Sequence, residues 1–326
     1  SMKDLKLAVK IGIGFGFLIL IACALGGMAI YNMSEVEGES VKLAEAYMPE
    51  VEIANNLERS VFGLMYEMRG YGLSEDEAYY DRAMHERSAI DSRIAEAEDL
   101  VRQHPFLKKL KEDLTRAKEA VHTYDALIKE TLETNKALAG NRQNLDQAAI
   151  RYMENCNDFT RGQYAKMRED IAAGLSEDKL KERVQKIILI NDIIDVGNDA
   201  RIKVFKSQAL RDPSIIRQAD ENFSVIGGLM EKLHKITRLD ADLKRLDEVR
   251  EAGRNYQLAM NNLLTNWQAL QELNSKRGES GAKVQHEAEN TAQAGVSNAL
   301  RIAGDAVSSL SASSSIMVGG LIVALI

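Results

Sequence analysis

Residues 11–30 read IGIGFGFLILIACALGGMAI, an apolar run interrupted only by small residues. At about 1.5 Å of rise per residue, such a run forms a helix of roughly 30 Å, the thickness of a bilayer's hydrocarbon core. The flank before it carries Lys3, Lys6 and Lys10 against Asp4, and an excess of basic residues stays on the cytoplasmic side. Residues 1–10 are therefore expected in the cytoplasm, residues 11–31 across the membrane, and the chain from residue 32 on its outer side. A cleaved signal peptide would have a shorter apolar region ending in a small-x-small site. Here the run ends in AIYNM, which does not fit.

A second apolar run, SIMVGGLIVALI, closes the sequence. It has about half the length that a span requires, so residues 313–326 read as the start of a second transmembrane helix. We expect the chain to be a segment of a longer protein whose output machinery lies beyond residue 326, with Ser1 before Met2 as a tag remnant.

Composition narrows the nature of the segment between the two runs. Only 3 of 326 residues are Pro, and Ala, Leu, Glu, Lys, Arg and Gln dominate the middle of the chain. Those residues favour helices while Pro breaks them. The net charge of −7 gives no basis for a nucleic-acid partner. Cys23 and Cys156 make no disulfide framework, and His85, His104, His122, His234 and His286 never fall three or four apart, so neither a metal nor a cofactor is expected. There is no phosphate loop and no nucleophile beside a base, hence no enzyme. Gly12-x-Gly14-x-Gly16 lies inside the span, where glycines serve helix packing.

From residue 32 to 312 the pattern is helical throughout, with few breaks. Gly72-Leu-Ser74 ends one helix, and Ser74 or Asp76 can cap the next. His104-Pro105 is a second break, because the residue before Pro avoids the helical region. Gly174-Leu-Ser176 is a stop followed by an N-cap, Asp212-Pro213 places Pro at a first turn, and Thr237 to Asp240 is the last turn. Six helices result, over 32–72, 75–104, 106–172, 176–210, 213–236 and 240–312. Pro49 lies inside the first and predicts a kink.

The lengths suggest a topology. If the first helix rises from the membrane, the second returns, the third climbs the full height and the sixth descends to the second span, ups and downs balance. The expected fold is all-α: six long helices forming two stacked four-helix bundles, flanked by two transmembrane helices. The lower bundle takes about 32–138 plus 277–312, the upper about 139–276.

A bundle buries one stripe per helix, so polar residues on a stripe need a reason. In the fourth helix a stripe of threes and fours runs Leu180, Val184, Ile187, Asn191, Ile194, Asn198, Ile202, Phe205 and Ala209. Asn191 and Asn198 lie at its centre, flanked by Asp195 and Arg201. Tyr152, Tyr256 and Gly227-Gly228 fall at the same height, and the glycines make room. The group reads either as a pocket or as an internal hydrogen-bond network that sets register. A lower candidate places Arg277 on the buried stripe of the last helix, with Asn274 nearby and Arg69 and Asn135 at that level. Guanidiniums in a partly dry site suit a carboxylate; alternatively they reach water between the bundles.

The opening KDLKLAVKIGIGFGFLILIACALGGMAIYNM resembles the start of methyl-accepting chemotaxis proteins, and the six-helix plan resembles the helical bimodular sensor domain of such receptors. The resemblance implies a homodimer in the bacterial inner membrane whose periplasmic part binds small metabolites, typically organic acids such as C4 dicarboxylates and acetate. It also implies a cytoplasmic kinase and adaptor reached through the sequence beyond residue 326. Arg69 and Arg277 stand where the family's arginine-based carboxylate grip could lie. Asp195 would instead suit an amine, or an amino acid if Arg201 takes the carboxylate. The ligand thus stays open among carboxylate, amino acid and amine. Two other readings share these features: the sensor region of a histidine kinase or cyclic-dinucleotide signalling protein, and a receptor for a partner protein with no small-molecule pocket.

Overall fold

A computed structural model describes residues 6–325 of the chain. Six helices account for nearly all of them, and the described residues contain no strand: α1 (Leu7–Ser74), α2 (Glu77–Gln103), α3 (Lys108–Ala172), α4 (Glu177–Leu210), α5 (Ser214–Ile236) and α6 (Asp240–Leu325). The apolar runs are not separate elements. Each continues without a break into the neighbouring sensor helix, with no Pro near residues 31 or 312 to interrupt it.

The breaks obey local chemistry. Asp76 caps α2, its side chain accepting from the Ala78 N–H at 2.9 Å. After α3, Gly174 takes the left-handed conformation (φ +68°) and the Leu175 N–H reaches back to the Asp170 carbonyl at 3.0 Å, the wrap that satisfies the last carbonyls of a helix. Arg211 (φ 55°) makes the same wrap after α4, with the Asp212 N–H on the Ser207 carbonyl. Pro49 acts one turn before itself. Its ring would clash with the carbonyl four residues back, and Leu43–Tyr47 forms a π-helical turn that widens the spacing there.

The chain divides into two compact units, one comprising residues up to Ala126 and from Arg277 onward, the other Leu127–Lys276. On α3 the division falls between Ala126 and Leu127, earlier than the boundary expected near 138. In the first unit, four helical segments close a ring of contacts. Arg82 of α2 meets Glu67 of α1 at 2.9 Å, and Arg87 of α2 grips Asp125 of α3 with two bonds of 2.6 and 2.7 Å. Ser280 of α6 donates to the Ala120 carbonyl of α3, and Arg277 of α6 to the Met68 carbonyl of α1. The enclosed core includes Leu57, Val61, Leu64, Met68, Ile90, Leu110, Val121 and Val284.

In contrast, the apolar run of α1 is bare: Phe15, Phe17, Ile19 and Leu20 are each more than 60% exposed, as are Leu321 and its neighbours at the end of α6 to a similar degree. Apolar runs uncovered by protein, each on a helix long enough to cross a bilayer, are what a lipid environment requires. Asn32 donates to Ser313 between them, and Leu25 packs where a Cβ on Gly320 would stand.

The second unit closes its own ring. Tyr152 of α3 donates to the Ile193 carbonyl of α4, Asn222 of α5 to the Val196 carbonyl of α4, Gln257 of α6 to Asp220 of α5, and Gln163 of α3 to Asp242 of α6. Phe159, Ile190, Ile193, Ile216, Met230, Leu246 and Met260 fill its interior.

Candidate functional site

The fourth helix buries a different face from the one its spacing suggests. Its inward stripe is Ile187, Ile190, Ile193, Ala200, Val204 and Ser207, whereas Val184, Ile202 and Phe205 are 45%, 62% and 54% exposed. Asn191 and Asp195 consequently point to solvent, and Asn198 and Arg201 are half-buried. The expected central Asn191–Asn198 pair on a buried stripe is thus corrected. The physical reason is Gly197. A Cβ there would stand 2.6 Å from the Tyr152 ring, so this face admits the Tyr152 ring only because it is bare. Ala200 continues the close approach one turn on. α4 carries Ile, Leu or Val on almost every side, and small residues then decide which side can approach its neighbour.

Tyr152 and Tyr256 are both buried, at 6% and 7% exposure. The Tyr152 hydroxyl is occupied by the Ile193 carbonyl at 2.8 Å, and burial pushes its pKa up. Tyr256 stacks on Phe223 with ring centroids 6.1 Å apart; burial raises its phenol to about 12, with the Arg201 charge opposing. Tyr152, Arg201 and Tyr256, with Gly197, Gly253 and Phe223, line a cavity of about 10 Å³. That is room for one water and no metabolite.

Larger space lies on the other side of Phe223 and Gly253. A groove of about 570 Å³ runs between α5 and α6 of this unit, within the size range of small-molecule sites. Half-buried Phe223 and the core residues Ile226, Met230 and Val249 close it on the inside, and its rim carries Glu231, His234, Lys235, Arg250, Arg254 and Gln257. α5 supplies a stripe at 223, 226–227, 230–231 and 234–235, and α6 one at 249–250, 253–254 and 257, so one helical face from each element builds it. Gly227 and Gly253 lie in this space. A Cβ on Gly227 would meet nothing within 4 Å, and one on Gly253 would make only ordinary contact with Tyr152 at 3.5 Å. Each glycine costs its helix about 1 kcal/mol against alanine, and neither is needed for close packing.

The rim is basic in an acidic chain. Arg250 lies 3.6 Å from Asp247, while among the described residues neither Lys235 nor Arg254 meets a carboxylate. Glu231 is the only acid on the lining.

In the first unit Arg277 is 3% exposed and donates to the Met68 carbonyl at 3.2 Å. Burial lowers its pKa, with Tyr124 acting in opposition. Burial raises the Tyr124 phenol to about 12 against the charges of Arg277 and Arg69, so these three residues are neighbours, with the Arg69 side chain exposed. Asn135 and Asn274 of the same expected group belong to the second unit. Asn135 is buried there with neither side-chain atom hydrogen-bonded among the described residues, and Asn274 is half-buried. No group of three or more metal-ligating side chains occurs among the described residues.

The groove residues Phe223, Met230, Lys235, Arg250 and Arg254 escape a reading of single helices, because they face one another only after α5 and α6 pack. The one visible signal is Gly227-Gly228, a helix-breaking pair inside a helix.

No curated protein matches the chain. A family model described as a four helix bundle sensory module for signal transduction matches residues 4–174, the first apolar helix and α2 through α3. With that match over more than half its length, and with two apolar helices carrying bundles closed by four helical segments each, the chain belongs to the four-helix-bundle sensory modules of methyl-accepting chemotaxis proteins.

Proposed function

We propose that this chain is the membrane-anchored sensory portion of a chemoreceptor that binds a small organic acid, or a related metabolite, directly in its periplasmic part. The observation that carries this reading is the 570 Å³ groove of the second unit, with a rim richer in cations than in acids on a chain of net charge −7. A preformed apolar space with a few converging charges is the usual form of a small-molecule site. The placement of Asp195 on the exposed face of α4 removes the main support for an amine. The bimodular plan is supported by the two compact units, each with its own core.

Binding shifts a receptor only through different affinity for two arrangements. Here a ligand held by both α5 and α6 would favour one spacing of those helices, and α6 continues into the second apolar stretch. A homodimer in the inner membrane that passes this change to a kinase and adaptor is the arrangement we infer from family membership.

Two measurements test the reading. The chain in lipid nanodiscs should gain thermal stability with organic acids; at 100 times the dissociation constant the gain is about 2.7 kcal/mol. Labelling Asn144→Cys on whole cells with a membrane-impermeant maleimide reads the orientation. The exposed Cys23 is replaced by Ser for this test, and Cys156 is a silent background, since it is buried and burial raises its thiol to about 12. Modification from outside is expected; modification only after lysis would reverse the orientation.

A further inference from the structure

The sensory reading leaves the class of acid open, and the groove narrows it. Small hydrophilic acids such as acetate or succinate need a compact, polar cage. This groove instead offers the half-buried Phe223 ring, with the core residues Ile226, Met230 and Val249 closing the space behind it. Phe223 already stacks on Tyr256 behind it, so its outer face is held in place for a further ring. The cations stand on the rim of the groove. Arg250 and Arg254 are one helical turn apart on α6, and a carboxylate between two guanidiniums on one helix face can be gripped in a bidentate way.

The glycines make the same point independently. Gly227 sits on α5 with open space where its Cβ would be, and Gly228 beside it is equally unopposed. Gly253 lines the groove from α6, and a Cβ on it would make ordinary contact with Tyr152. A side chain at 227 would enter this space, whereas one at 253 would meet the Tyr152 ring of α3.

Building on the sensory reading above, we propose that the α5–α6 groove is the binding site for an aromatic carboxylate, its ring against Phe223 in the open space at Gly227, and its carboxylate held by Arg250 and Arg254. Glu231 on the same lining disfavours a second negative charge on the ring, so the acid is a monocarboxylate.

The test is calorimetry on the full chain in nanodiscs with phenylacetate, its neutral amide phenylacetamide, phenethylamine, acetate and succinate. Phenylacetate should bind, and the amide about tenfold or more weakly, the loss expected for one charge-assisted interaction. Gly227→Leu should abolish binding without lowering the thermal midpoint, because its side chain enters open space. Arg254→Met keeps the stem and should weaken phenylacetate about tenfold while leaving the amide unchanged. Phenylacetate binding that survives both substitutions would place the site elsewhere and overturn the inference, as would equal affinity for acid and amide. If succinate or acetate binds and aromatic acids do not, the aromatic assignment fails while the sensory reading stands. If no member of the panel binds to folded chain, direct sensing of these acids falls with it.

Discussion

Glu50 is 1% exposed, and its Oε2 has no hydrogen-bond partner among the described residues. It comes directly after Pro49, just past the π turn of α1, in the first unit. Burial, helped by nearby Asp113, raises its carboxyl from 4.5 to about 7. Asp113 has its own partners: Lys109 at 2.7 Å, Arg116, and the Thr291 hydroxyl at 2.9 Å. Glu50 is thus the carboxylate left over. A folded-state pKa above the unfolded one means that the native state binds the proton more tightly. The resulting stability is fully present below pH 4.5 and is lost as the pH rises through about 7. At 1.36 kcal/mol per unit, the whole effect is about 3 kcal/mol. Denaturant titrations between pH 4.5 and 8 should show this decline, and Glu50→Gln should flatten it. An unchanged slope in the variant would assign the decline to another group. A second residue-level expectation concerns Tyr152: Phe in its place removes the bond to the Ile193 carbonyl and should cost about 1 kcal/mol, read from the shift in unfolding midpoint.

At the scale of the element, two glycines with the same sequence appearance have opposite roles. Gly197 of α4 accepts the Tyr152 ring, whereas Gly227 of α5 faces empty groove. Alanine at 197 forces the ring or the helix to move and should destabilise by about 1–3 kcal/mol, as overpacking does. Alanine at 227 should be neutral or stabilise by up to about 1 kcal/mol through helix propensity. Thermal unfolding of the two variants side by side checks the pair; equal effects would mean that Gly197 is not a packing contact. The helices themselves were readable from residue patterns. The breaks near 74, 104, 174, 212 and 238 all appear where capping residues, Pro and Gly place them, since each depends on φ and on hydrogen bonds within a few residues. The register of α4 was not readable, because isoleucines at 187, 188, 190, 193 and 194 let more than one face pass as the core.

For the whole molecule, the contrast is between two closed bundles and two bare apolar ends. Removing residues 1–31 and 313–326 deletes the exposed run of α1 and the end of α6 while leaving the ring contacts of both units intact. The remainder should be soluble without detergent and keep its helical circular-dichroism spectrum; aggregation of that fragment would mean that the apolar ends pack against protein rather than lipid. The candidate site was only partly visible from the chain alone. Tyr152, Arg201 and Tyr256 do come together, around a space for a single water, and the roomier groove lies beyond Phe223.

What the sequence determined by itself was therefore local: an apolar run of membrane length and a helical chain with its stops. Hydrocarbon thickness, capping and proline geometry act within a few residues or along one segment, so no partner is needed to read them. Tertiary structure alone decided which face of α4 is buried and where the groove opens. Both depend on how the shape of one helix meets another, Tyr152 finding a glycine on α4 and the groove opening beside Gly227 between α5 and α6, and such fits exist only once the helices are side by side.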